Sequence, residues 1–197
     1  VTVRAWAMGL LVATAIAVPL GAAIGLSRWV DAGMHVLVEF VRPIPAVALI
    51  PVAIVLFGLQ ISMQVFLIAF ACLWPILFST RYGVRNVDPL LHDTARVMGV
   101  SGPSLTWNVT AKAALPAIFT GIRTSASIGI VVAIATQIVA GTPGLGFQIS
   151  RMQQGGNVPG AFAALVVAGV LGYVVNVGMA WLERRLAGWQ QLMTEAA

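Results

Sequence analysis

The sequence predicts an all-α integral membrane protein with about five spanning helices, and three observations carry that prediction. Of its 197 residues, 59% are apolar and 9% are charged, whereas a soluble domain carries about a quarter charged residues. Such a chain cannot cover its own surface with polar groups, so lipid is the expected solvent. Apolar stretches of roughly 20 residues, the length that crosses a bilayer as helix, recur along the chain. One long polar break, residues 88–116, interrupts them in the middle. No series of ten-residue alternating segments supports a strand barrel.

The first span is expected over 6–26. Pro19 frees a backbone carbonyl and kinks it, and Gly21 with Gly25 forms a GxxxG pair that permits close helix approach. Internal packing is the favoured use of that pair over self-association. A polar link, 27–31, leads to a second span over 36–58. Glu39 and Arg42, three residues apart, can pair at its start. Pro43, Pro45 and Pro51 then preclude a regular helix. In lipid, broken backbone survives only when buried in protein or lining a cavity. Pro43 and Pro45 are therefore candidates for a solute pathway, with a purely structural kink as the alternative.

The third span covers 61–78, with Trp74-Pro75 near its end and Arg81 and Arg85 after it. The fourth covers 117–140. Arg123 near its start is expected to snorkel to the interface. Thr124, Ser125, Ser127, Thr136 and Gln137 on this span serve either as interhelical glue or as pathway lining. Ser125, Thr136 and Gln137 are carried forward as pathway candidates. A loop rich in Gly and Pro, 141–160, precedes a fifth span over 161–181. Glu183-Arg184-Arg185 and a short tail close the chain. The whole chain is taken as one transmembrane domain.

The net charge is +5, and ten of the eleven cations are Arg. They stand scattered at span ends with few aromatics among them, which argues against a nucleic-acid partner and for orientation in a membrane. Nine of them fall on the side of the polar break and the tail. Only Arg4 and Arg151 fall on the other side. The positive-inside rule then puts the polar break and the C-terminus in the cytoplasm. Five spans place the N-terminus outside, which implies an upstream span beyond this sequence or a misplaced start.

Within the polar break, Asp88-Pro89 is a helix start, with Asp as cap and Pro at the first helical position. A helix 90–98 ends at Gly99. Ser101-Gly102-Pro103 turns the chain into a second short helix, 104–112, and Leu115-Pro116 enters span four. On the first helix Leu91, Thr94, Ala95 and Met98 recur at helical spacing. They form a small-residue face for a groove on another protein or for packing on the membrane domain.

Enzymatic chemistry finds no support. The sole lysine, Lys112, follows Ala, so no GxxxxGK[ST] phosphate loop is present. His35 and His92 are far apart, and no metal site is expected. Cys72, the single cysteine, lies in an apolar run and is expected to be a small buried hydrophobe. A secondary transporter or a channel working without an ATPase is the main rival. Ion-coupled carriers often hold ionisable groups mid-membrane, and no acidic residue lies deep in a span here.

Asp93-Thr94-Ala95, Gly99 and Ala114-Leu115-Pro116 together resemble the cytoplasmic EAA loop of ABC importer permeases. Val41-Arg42-Pro43-Ile44-Pro45, Ala48-Leu49-Ile50-Pro51, Trp74-Pro75-Ile76-Leu77, Val87-Asp88-Pro89 and Gly144-Leu145-Gly146 resemble, in order, stretches of its nitrate/taurine/alkanesulfonate branch. The resemblance implies a multi-pass inner-membrane permease that pairs with a second permease copy and two ATP-binding-cassette ATPase subunits. It also implies an extracytoplasmic solute-binding protein and a small polar or anionic solute. ATP would be bound by the ATPase, leaving no cofactor in this chain. Asp93, Thr94, Ala95, Met98 and Gly99 would be the ATPase-coupling residues. The family's acidic residue is here Asp, its following Ala is Thr94, and a Leu-Pro pair usual in the branch is replaced by Ala111-Lys112.

Overall fold

A computed structural model describes residues 1–187, and all regular structure among them is helical. Eight helices are used here: α1 Thr2–Leu26, α2 Arg28–Val41, α3 Ile50–Phe57 after a 3₁₀ turn Ala46–Leu49, α4 Ile61–Arg85, α5 Pro89–Val97, α6 Pro103–Ala140, α7 Leu145–Gln154 and α8 Val158–Ala187. Helices α1, α4, α6 and α8 are each long and apolar enough to cross a bilayer. The tail 188–197 lies outside the described residues.

Helix α4 is the spine, flanked by α1 and α6. Glycines let the backbones meet. A Cβ on Gly9 would lie 2.6 Å from Ile68. One on Gly21 would lie 2.6 Å from the Leu77 carbonyl oxygen. On the other flank, a Cβ on Gly121 would lie 2.6 Å from Ser79, and one on Gly129 would lie 2.9 Å from Cys72 Sγ. Gly25 abuts Val84, so both glycines of the GxxxG pair serve internal packing. In lipid, where apolar burial gives no drive, such close van der Waals contact is what holds helices together. Pro19 and Pro75 lie inside α1 and α4 without ending them.

The seam also fixes direction. Along α1 and α4 the paired numbers rise together, Gly9 with Ile68 and Gly21 with Thr80, so these helices run parallel. Along α4 and α6 they run oppositely, so α6 is antiparallel. Two consecutive parallel spans require the chain between them to cross back. Residues 27–60 do so as a broken segment.

This segment differs from the expected regular span 36–58. Helix α2 and the run Ala46–Phe57 meet at 79°. Asp31 contacts Arg81 and Arg85, while Arg42 at the other end of α2 stacks 4.9 Å over the Phe78 ring. The eleven residues from Asp31 to Arg42 thus advance only one to two turns along α4, so α2 runs obliquely across its end. Pro43 and Pro45 remove two amide donors from the next turn. The chain bends there, and only the 3₁₀ turn and α3 climb back toward Phe66.

Helix α6 is the second departure. The short helix expected over 104–112 is not separate. It continues through a π-helical stretch, Thr106–Ala111, into the span, giving 38 residues of unbroken helix. Pro116 lies inside it. A proline costs one intrahelical bond, and the wider π turns just before it relieve the local ladder.

The glycine seam predicts an asymmetry. Gly21→Val should lower the stability of the detergent-solubilised protein by about 1–3 kcal/mol, because the backbone oxygen it strikes cannot move aside. Gly33→Ala on α2, where a Cβ meets nothing within 4 Å, should be neutral or slightly stabilising. Thermal melts of the two variants check this, and equal effects would refute the seam.

Candidate coupling surface and pathway residues

Helix α5 is short but closed at both ends. The Asp88 carboxylate accepts from the Leu90 amide at 2.8 Å, and Pro89 fills the first position. At the far end Val100 N–H donates to Ala95 O and Gly99 N–H to Arg96 O, both at 2.9 Å. This is a Schellman stop, with Gly99 at φ +82° supplying the left-handed residue. Nine residues alone do not hold a helix in water, so these caps and one tertiary contact define it. That contact runs through buried Ala95 and through His92 Nε2, 3.1 Å from Thr110 Oγ1 on the π segment of α6.

The five expected coupling residues divide. Asp93, Thr94, Met98 and Gly99 are exposed, with Asp93 3.5 Å from Arg96. Ala95 faces inward and seats the helix on α6. Leu90, Leu91, Val97 and Met98 are all exposed on this nine-residue helix and its cap, Val97 to 89%, and Trp107 is exposed near the start of α6. Leu90, Val97 and Trp107 were missed in the sequence. Their signal is large apolar side chains inside an otherwise polar break.

Beside this surface, Asp31 takes Arg81 and Arg85 at 2.7 Å each. The Arg81 guanidinium, with that of Arg85, holds the carboxyl below the usual carboxylate range. This ties α2, one turn from its start and outside the apolar spans, to the end of α4.

The expected pathway residues are placed otherwise than proposed. Ser125, Thr136 and Gln137 are fully buried between α1, α4 and α6. Ser125 Oγ donates to Cys72 O at 2.8 Å, and Cys72 Sγ donates back to Ser125 O at 3.1 Å. Gln137 Nε2 donates to Gln64 Oε1 at 3.0 Å, while its Oε1 accepts from Thr2 Oγ1 and Gly146 N–H. Thr2 Oγ1 in turn accepts from Leu145 N–H at 3.0 Å. For Ser125 and Gln137 these are helix-to-helix bonds, the glue alternative. Thr136 Oγ1 is buried with no partner in the structure. Pro43 and Pro45 lie exposed at the elbow between α2 and α3.

The open polar face lies on the other side of α6. Thr120, Arg123, Thr124 and Ser127 recur on one face, facing α8 or open space. Above them a groove of about 700 Å³ runs between α6 and α8, lined by Ser127, Ile130, Ile134, Leu165, Tyr173 and Asn176 among others. Arg123 does not snorkel free. Its Nε donates to Asn176 Oδ1 at 3.3 Å and one terminal nitrogen to Glu183 Oε2 at 3.1 Å. Thr120 Oγ1 donates to Glu183 Oε1 at 2.7 Å. In the sequence Glu183 stood only as part of the charged close of the last span and Asn176 was not singled out, and the polar stripe beginning at Thr120 is the signal that points to them. No group of three or more metal-ligating side chains occurs among the described residues.

Residues 15–188 match the profile of a family described as binding-protein-dependent transport system inner membrane component. The taurine transport system permease protein TauC of Escherichia coli is 29% identical over 92% of this chain and 66% of its own length. The bicarbonate transport system permease protein CmpB of Synechococcus elongatus is 34% identical over 90% of this chain and 64% of its own. The chain thus spans about two thirds of the length of these relatives. A chain of the MetNI methionine ABC transporter, crystallised in inward-facing conformations, superposes with a TM-score of 0.81 at 17% identity, over 94% of this chain and 93% of that one.

The Gln137 cluster predicts a large loss on truncation. Gln137→Leu strands the Thr2 hydroxyl, the Gln64 amide oxygen and the Gly146 amide, each costing about 1–3 kcal/mol when buried unpaired. A thermal melt should fall well below that of Gln148→Leu, whose amide is exposed. Indistinguishable melts would remove the cluster from the stability account.

Proposed function

The chain belongs to the family of binding-protein-dependent transport system inner membrane components, and on that premise we propose that it is the permease subunit of an ATP-driven ABC importer. Two copies would form the pathway and two ATPase subunits would dock on their α5 helices. A binding protein would deliver solute at the opposite face. The Arg-rich end carries Arg81, Arg85, Arg96, Lys112, Arg184 and Arg185, and positive-inside asymmetry supports placing it in the cytoplasm.

One observation carries the reading. A helix capped at both ends holds Leu90, Leu91, Val97 and Met98 exposed outside the spans. Apolar side chains displayed on a short rigid helix suit insertion into a groove of a partner. The caps allow α5 to move as a body when the partner closes on ATP. The His92–Thr110 contact and the short Gly99–Gly102 turn pass that movement to α6. Because α6 is continuous from Pro103 to Ala140, a tilt at its foot reaches the groove.

The solute proposed is a small oxyanion. The names of the two relatives specify taurine and bicarbonate, which share a compact oxygen-bearing anionic group. A polar stripe with one Arg on α6 supports a water-filled face in preference to lipid, since a cation in lipid is costly.

Leu91→Glu with Met98→Glu should abolish copurification of the ATPase from detergent extracts while leaving the permease in the membrane fraction. Gly99→Asp, which forces a side chain onto φ +82°, should abolish ATP-dependent uptake into vesicles. Uptake that persisted after ATP depletion and followed an ion gradient would overturn the reading.

A further inference from the structure

We infer that the foot of the α6–α8 groove is a transit subsite for an oxyanion, with Arg123 as its cation and Glu183 as a resident counter-ion that the solute displaces. The inference rests on the importer reading above and names the place where the solute is held.

Arg123 lies two residues past Gly121, which packs on Ser79, so it stands just inside the Arg-rich end, about one turn deeper than Arg81. A guanidinium there must find partners, and those it has are sparing. It offers five N–H donors in a planar fork. Only two are used, one on Asn176 and one on Glu183. The contact to Glu183 is single and 3.1 Å long. The same chain shows what a closed ion pair looks like, for Asp31 takes both its arginines at 2.7 Å. Charge-assisted N–H···O bonds usually fall at about 2.7–2.9 Å. The Arg123 pair thus leaves donors to spare, and its side chains remain 41% and 21% exposed.

The surroundings are prepared for exchange. Thr120 has one hydroxyl proton but two acceptors in reach, Glu183 Oε1 at 2.7 Å and its own helix carbonyl at Pro116 at 3.0 Å. If Glu183 withdraws, the hydroxyl turns to Pro116 O and nothing is orphaned. Asn176 receives Arg123 through its oxygen, which leaves its amide hydrogens free to donate to an anion. Ser127 lines the groove one turn above. Higher still, Ile130, Ile134, Ile138 and Leu165 offer no polar group, and Tyr173, one turn above Asn176, adds a single hydroxyl, so the donors of the groove are concentrated at this foot. A planar guanidinium matches groups with two oxygens on one atom. The Glu183 carboxylate meets the fork through one oxygen only, its other oxygen being held by Thr120, so the two-pronged geometry is left for a sulfonate or bicarbonate.

A structural ion pair and a displaceable one predict opposite signs at Glu183. The test measures equilibrium binding of ³⁵S-ethanesulfonate, with bicarbonate as competitor, to the detergent-purified permease–ATPase complex without binding protein. Wild type should bind and bicarbonate should compete. Arg123→Gln should weaken binding about tenfold or more, the factor expected for a lost charged hydrogen bond, and Arg123→Lys should fall between. Glu183→Gln should tighten binding severalfold, because it removes the competing carboxylate. The double variant Arg123→Gln/Glu183→Gln carries no unpaired charge, so it keeps the test open if Arg123→Gln does not fold, and it should fail to bind. Absence of binding to wild type, binding by the double variant, or weaker or unchanged binding by Glu183→Gln would each overturn the subsite. Loss of the ATPase from the wild-type complex would instead refute the importer reading, and the subsite would then be judged on the permease alone.

Discussion

Backbone-to-backbone contact along α4 is the constraint from which the architecture follows. Gly9 and Gly21 of α1 close on one flank and Gly121 and Gly129 of α6 on the other, each too near for a side chain. Lipid tails are as apolar as leucine, so association cannot draw on the hydrophobic effect and must come from dispersion at short range. The contacts also dictate handedness of travel. With α1 and α4 parallel, the chain must return between them, and it does so through the elbow between α2 and α3.

The two ends of this core are secured by different chemistry. At the Thr2 end a neutral network joins α1, α4, α6 and the start of α7 through Gln137. At the Arg-rich end the fastening is ionic, Asp31 to Arg81 and Arg85. Neutral groups suit the drier location, because burying charge without full compensation is expensive. Helix α8 contributes little to this rigid body and touches mainly α6 and α7. A firm three-helix core beside a loosely held fourth helix is a natural arrangement where one face must open and close.

Much of this was legible in the sequence, and the failures have physical causes. Uninterrupted apolarity located α1, α4 and α8, and the Asp-Pro start and glycine stop located α5. The elbow was half visible. Proline spacing announced a break but not its angle, because proline removes donors without specifying where the chain goes next. The unbroken α6 was hidden because Pro116 normally ends a helix in water, while a span can absorb it with a π turn. Ser125 and Gln137 were misplaced for a different reason. Composition shows that a span carries polar side chains, but which way they turn depends on neighbours. Ser125 finds Cys72 53 residues away, and Gln137 finds Gln64 73 residues away. Arg123 was seen, yet its carboxylate lies 60 residues on.

The Thr2 hydroxyl has a bearing on how the chain is made. Its two bonds go to Gln137 and Leu145, separated from it by 135 and 143 residues. At about 5–20 residues per second of synthesis, these partners are made roughly 7–29 seconds after Thr2. Through that interval α1 waits with an unanswered hydroxyl at its tip, and Gln64 waits likewise on α4. The Thr2 end of the molecule can therefore lock only late in biogenesis, when the hairpin of α6 and α7 arrives. Until then the early helices depend on their glycine seam, or on the insertion machinery, to stay together.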